Sequence, residues 1–168
     1  VIGVLLGLAL VVMAVLNVIA LNRLNQRYEI TVEPIQVPDG EDARARGEHL
    51  VRAVSSCTSC HGPDLGGREF LDAPIVGQIY APNLTPGEGG KASQYRSEDW
   101  VRVMRHGVDP SGRPLFFMPA QYYRYYNDAD MGAIVAYLQS VPPVDRETPP
   151  TRLSLTGRVI FALGALEE

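Results

Sequence analysis

Lysine is all but missing from this chain: Lys91 stands alone among 15 basic residues, and the formal net charge is −4. A nucleic-acid partner would call for a clustered basic surface to neutralise phosphates, so that class is excluded. Cysteine is almost as scarce, with only Cys57 and Cys60, and two cysteines by themselves do not fix a redox compartment. No internal repeat appears, and no run alternates convincingly enough to predict a strand. Charge is absent from Val1 to Leu21, where Asn17 is the one strongly polar side chain. As a helix rising ~1.5 Å per residue, that stretch spans about 31 Å, enough to cross the hydrocarbon core of a bilayer. It is longer than the apolar part of a cleavable signal peptide, and no A-x-A-like site follows. Residues 1–24 are therefore expected to form an uncleaved signal anchor. The chain starts at Val1 rather than Met, and a short basic N-terminus is expected ahead of it, because Arg23 and Arg27 alone would put positive charge on the wrong side. The rest, with 168 residues in all and 20% charged, suits one small domain with appendages.

Both cysteines fall in the stretch Cys57-Thr58-Ser59-Cys60-His61. This is the C-x-x-C-H pattern of covalent c-type haem attachment. Thiols three residues apart share one side of a helical turn, from which both can reach the vinyl groups along one porphyrin edge. His61, next in the chain, is carried under the ring, where its imidazole can ligate iron. Structural zinc would want four Cys or His ligands, and only His49, His61 and His106 could complete such a set. A thioredoxin-like dithiol should sit in a βαβ pattern, which is not found here. A Cys57–Cys60 disulfide would close a loop too small to stabilise much. Haem accounts for all five residues in order, and its attachment takes place outside the cytoplasm, which orients the anchor with the N-terminus in.

Beyond the anchor, residues 25–38 read as a tether, with Pro34 and Pro38 discouraging regular structure. Asp39 offers an N-cap to a helix on which Ala43, Leu50, Val51 and Val54 recur at helical spacing, and Gly47 leaves room for a close crossing. Gly62 to Gly90 is a long glycine- and proline-rich loop, of a length that usually has a job. Ser97 is placed to cap a short helix carrying Trp100, Val103 and Met104 on one face and ending at Gly107. A second loop from Val108 to Tyr126 holds Arg113, Phe116-Phe117-Met118-Pro119 and four tyrosines. Asn127 then caps a last domain helix with the stripe Met131, Ile134, Val135 and Leu138, stopped by Pro142-Pro143.

This order of elements resembles the class I cytochrome c fold over about residues 40–143. Arg46-Gly47-Glu48-His49-Leu50-Val51, Ala81-Pro82-Asn83-Leu84-Thr85-Pro86, Arg105-His106-Gly107-Val108 and the run from Ala136 to Pro143 resemble, more narrowly, monohaem cytochromes serving membrane dehydrogenases and respiratory or photosynthetic complexes. The monohaem subunit of alternative complex III is among them. The resemblance implies a mainly α fold with the cytochrome domain at 39–143, one covalent haem c, and electron transfer rather than catalysis. It also implies that Gly47 and Tyr137 mark the crossing of the first and last domain helices, and that the carbonyl of Pro74 receives the Nδ1–H of His61. Anchor and tail depart from a soluble carrier.

Of four methionines, Met13 lies in the anchor, while Met104 and Met131 sit on apolar helix faces where packing is the expected role. Met118, in a loop before Pro119 and close to the family's spacing from His61, is the expected sixth ligand, with His106 the runner-up. His/Met ligation raises the potential and closes the iron to substrates, which favours a carrier over a haem sensor or small-ligand binder. Arg105, Arg113, Trp100, Tyr122 and Tyr123 are candidates to hold the haem propionates. The expected partners are subunits of a membrane electron-transfer complex, a redox donor and acceptor, and the lipid bilayer; the expected place is the bacterial cytoplasmic membrane, single-pass, with the haem domain on the periplasmic face. Residues 144–168 are expected to be a tail, set off by Pro149-Pro150, whose apolar run Leu153 to Leu166 docks on a partner.

Overall fold

The computed structural model describes residues 1–164, in a mainly helical arrangement. Helix α1 (Ile2–Asn25) is long and apolar enough to cross a membrane and is almost wholly uncovered. Only its last turns are covered, with Ala20 fully buried and Leu24 partly so.

From Gln26 the chain has no regular structure until Gly40, as its prolines dictate, yet it is no free tether. Ile35 is buried, Val32 and Val37 pack on the main core, and the Tyr28 amide donates to the Gly112 carbonyl at 2.8 Å. The entry to α2 (Glu41–His49) is made by Gly40 at φ 121°, a conformation L side chains rarely adopt, rather than by an Asp39 cap. The acidic pair Glu41 and Asp42 occupies the positive first turn, as expected. The helix widens into a π-helical turn at Leu50–Val54, so Leu50 and Val51 are buried while Val54 swings out to solvent. A uniform helical stripe would have buried Val54 too.

Helix α3 (Cys57–His61) follows, then two strands that no alternation predicted. β1 (Arg68–Ala73) and β2 (Gly77–Ala81) form an antiparallel hairpin with an irregularity between Glu69 and Leu71. No residue of β1 is fully buried, so neither face carries the apolar run that would give its sequence a period-2 signal. α4 (Ser97–His106) starts one residue earlier than a Ser97 cap would imply: Arg96 holds the cap position, its amide donating to Asp99 Oδ2 at 3.0 Å. Gly107 closes it in the left-handed conformation at φ 61°. α5 (Ala120–Tyr123) is a single turn, and α6 (Asp128–Ser140) is capped by Asn127, whose side chain accepts from the Asp130 amide at 2.8 Å.

The helices α2 and α6 cross at Gly47. A Cβ there would lie 2.0 Å from the Ala133 carbonyl oxygen and 2.7 Å from the Tyr137 Cβ. Around that crossing Leu50, Val51, Leu65, Trp100, Val103, Met104, Met131, Ile134, Val135 and Leu138 form one core.

Beyond Pro143 the chain stays packed on the domain. Residues 144–153 run back over the Leu84–Gly90 turn as a strap. The Asn83 side chain donates to the carbonyls of Val144 at 2.6 Å and Arg146 at 3.2 Å, and Arg146 donates to the Gly67 carbonyl at 2.9 Å. β3 (Arg152–Leu153) then adds to β2 as a third, antiparallel strand. α7 (Leu155–Ala162) packs on the end of α1, where Ala20, Leu24, Leu153, Phe161, Val76, Phe116 and Phe117 make a second apolar cluster. The segment 144–153, expected as the start of a tail set off by Pro149-Pro150, therefore lies on the domain: the buried amide of Asn83 directs its donors at this strap and holds it down. Ala165 and Leu166, at the end of the expected docking run, lie outside the described residues.

Candidate haem site

α3 begins after Ser56, which turns the chain through the left-handed region at φ 51°, and it ends at Gly62. Arg68 donates to the carbonyls of Ser59 and Cys60, satisfying groups a helix end leaves open and fixing α3 on β1. Cys57, Cys60 and His61 thus line one side of a cavity of about 400 Å³. No disulfide joins Cys57 to Cys60. Burial pushes the Cys57 thiol up to about 11, so it stays protonated at neutral pH.

His61 Nδ1 lies 2.7 Å from the Pro82 carbonyl oxygen. A carbonyl only accepts, so Nδ1 carries the proton and Nε2 keeps its lone pair. Burial pulls the imidazole pKa below its ordinary value, against the opposing effect of the Pro82 hydrogen bond. The ring is therefore neutral, with a nitrogen free to ligate. This corrects the Pro74 expectation. Pro74 is exposed in the turn between β1 and β2, and the hairpin carries the chain away and back, so that Pro82 is the proline that returns to His61.

Met118 lines the same cavity, and so does Met104, buried on α4; Met131 is buried outside it. Phe117, beside Met118, is held at φ 116°, a conformation that costs a side-chain-bearing residue on the order of 1–3 kcal/mol. Packing holds it there, with Phe116 set edge-on to Phe117 at 5.6 Å and 5.2 Å from the Phe161 ring. From the other end of the loop, the Tyr123 hydroxyl donates to the Ser55 carbonyl at 3.1 Å, tying α5 to the turn before Cys57. Burial, and then the two thiols, raise the Tyr123 pKa and keep it a donor.

The remaining candidates divide. Trp100 is 2% exposed and lines the cavity, and its Nε1–H is buried without an acceptor. Tyr95, edge-on to Trp100 at 5.3 Å, and Lys91 line the same wall; sequence reasoning missed both, since neither carries a local signal. Arg113 is exposed and outside the wall, with its amide closing a turn onto Asp109 Oδ1 at 3.0 Å. Arg105 is held by Asp128 at 2.6 Å and the Tyr126 carbonyl at 2.9 Å, beside His106 in a separate cleft of about 290 Å³. Tyr122 and His49 are exposed. Thr151, in the C-terminal strap, completes the cavity edge and accepts from the Tyr80 amide at 3.1 Å.

Two thiols and a neutral imidazole stand on one wall of an apolar slot, with a thioether in the same slot and an orphaned indole N–H that wants an anion or other acceptor. Haem fits these groups, and a propionate would supply the acceptor that the Trp100 Nε1–H lacks. Residues 44–142 match the family described as cytochrome c. The chain belongs to the cytochrome c family. The cytochrome is similar to the cytochrome subunit of fructose dehydrogenase from Gluconobacter japonicus, 30% identical over 90% of this chain and 32% of that protein. It is also similar to the cytochrome c subunit of gluconate 2-dehydrogenase from Pantoea cypripedii, 37% identical over 59% of this chain and 23% of that one. The cytochrome c subunit of the quinone alcohol dehydrogenase from Gluconobacter oxydans is 33% identical over 59% of this chain and 22% of its own length. The cytochrome thus spans about a third or less of these relatives. Membership makes it a carrier of electrons on covalently bound haem c.

Proposed function

We propose that this cytochrome is the electron-transfer module of a membrane dehydrogenase complex, carrying one haem c between the dehydrogenase and an acceptor at the membrane. Cys57 and Cys60 would hold the group covalently, and His61 Nε2 and Met118 would ligate its iron. When bound, the haem supplies a one-electron Fe(III)/Fe(II) couple. The observation that carries the reading is the gathering of Cys57, Cys60, His61 and Met118 around one apolar cavity. Pro82 fixes the His61 tautomer and strengthens it as a ligand. The soft Met118 thioether would favour the less charged ferrous state and would leave no position for a substrate. Trp100 would orient a propionate, and the aromatic and aliphatic walls exclude water.

α1 would anchor the module as a single span of the bacterial cytoplasmic membrane, with the haem domain on the periplasmic side. A dehydrogenase partner is favoured over alternative complex III because the relatives named above are dehydrogenase subunits. Met118→Ala is expected to abolish the weak near-red band of methionine-ligated ferric haem, lower the potential and open the ferrous form to carbon monoxide. Met104→Leu, close in volume, should leave all three unchanged. A Met118→Ala protein that keeps band and potential would move the sixth ligand to Met104. Purification in mild detergent should bring a dehydrogenase subunit with the cytochrome; a quinol-oxidising complex in its place would overturn the partner assignment.

A further inference from the structure

The C-terminal helix leaves an apolar ridge uncovered. Its inner side is tight: a Cβ at Gly157 would meet the Val76 carbonyl oxygen at 2.0 Å, and Phe161 is 4% exposed against Phe116. On the outer side Leu155, Val159 and Leu163 follow one another four residues apart, a single ridge on a helix surface. Leu155 and Leu163 are 65% and 67% exposed. Ile75, whose carbonyl accepts the Ser154 hydroxyl at the start of α7, adds an apolar side chain that is 60% exposed. Within α7 the one charged residue is Arg158.

The level of this ridge is set by α1. Its uncharged stretch ends at Leu21, and Arg23 is the first charged residue, which the hydrocarbon core disfavours. Ala20 therefore lies at the outer edge of the hydrocarbon and Arg23 among the headgroups. α7 packs on the side of α1 at Ala20 and Leu24, so it lies at that same boundary. An exposed ridge of leucine and valine at that level gains by burial among acyl chains, while Arg158 can reach the headgroups.

We propose that α7 is an interfacial helix, its Leu155–Val159–Leu163 ridge and Ile75 seated in lipid at the boundary of headgroups and acyl chains. This rests on α1 spanning the bilayer. The cytochrome domain then has two points of membrane contact, which fixes its tilt as well as its distance.

The test uses the full holoprotein in nanodiscs of phosphatidylcholine that carries a photoactivatable diazirine on its acyl chain, with adducts mapped by mass spectrometry. Adducts are expected on α1 and, in addition, on Leu155, Leu163 or Ile75. Adducts confined to α1 would overturn the proposal, since α7 would then face water or protein. Absence from α1 as well would sink the anchor reading, a distinguishable failure. In the Leu155→Gln/Leu163→Gln double variant, with an unchanged haem spectrum as the control for folding, tail adducts should fall several-fold while α1 labelling stays the same. Undiminished tail labelling would equally overturn the assignment.

Discussion

At position 83 one carboxamide holds two separate pieces of chain together, its own turn and the strap. Its nitrogen reaches the carbonyls of Val144 at 2.6 Å, Arg146 at 3.2 Å and Glu88 at 3.4 Å, and its oxygen accepts from the Thr85 amide at 2.8 Å. Asn83 is fully buried, so Asn83→Ala would strand these groups without water. The expected cost is about 2–3 kcal/mol, seen as a lower denaturant midpoint at unchanged slope. Proteolysis should at the same time begin within 144–150; a strap that stays protected would mean that Thr85 and Arg146 suffice to hold it. Gly47 is the second sensitive position. A methyl group 2.0 Å from the Ala133 carbonyl oxygen forces α2 and α6 apart. Gly47→Ala is expected to cost about 1–3 kcal/mol, the usual penalty of overpacking, measurable as a depressed Tm. Both residues could be singled out by resemblance, Gly47 for the crossing and Asn83 within the Ala81–Pro86 run, but the partners of Asn83 lie too far along the chain for local patterning to announce them.

Among the elements, those with a local cause were legible. Cys57 to His61 is one turn whose chemistry is fixed by five consecutive residues. α6 declares itself through Asn127, the buried stripe and Pro142, because every signal lies within the helix it describes. The hairpin was not legible: no residue of β1 is fully buried, so it lacks an apolar face, and β2 is braced at Gly77 by a strand arriving from residue 152. The Pro82 carbonyl was missed for the same reason, since only the hairpin's path decides which proline meets His61. The strap was read as a spacer because prolines suggest stiffness and say nothing about what a stiff segment lies on. Truncation therefore has graded consequences. Ending the chain after Pro150 removes Thr151, β3 and α7 but leaves the segment bound to Asn83. Covalent haem and methionine ligation should persist, while the potential falls, because a wetter cavity edge disfavours the charged ferric state less. Ending it after Pro143 removes the whole strap from a buried Asn83 and should prevent accumulation of holoprotein. If both truncations behave alike, the strap contributes nothing to the domain.

For the whole molecule, the first and last described helices meet: the end of α1 and α7 share a cluster with Phe116 and Phe117, next to Met118, so the apolar N-terminal helix and the Met118 loop belong to one packed body. The segment from Gln26 to Gly40 completes that body, because Ile35 is buried and Tyr28 is bonded to Gly112. Had these residues been loose, the domain would roam roughly 20 Å from its anchor, as a flexible linker of that length allows. Laid down as they are, they leave no slack. In the proposed complex, electron arrival would then be a tunnelling event across a fixed gap instead of an encounter governed by diffusion. Its rate within the complex should be indifferent to glycerol. Lengthening the segment by a flexible Gly-Ser insertion between Asn25 and Tyr28 should create a viscosity dependence where there was none.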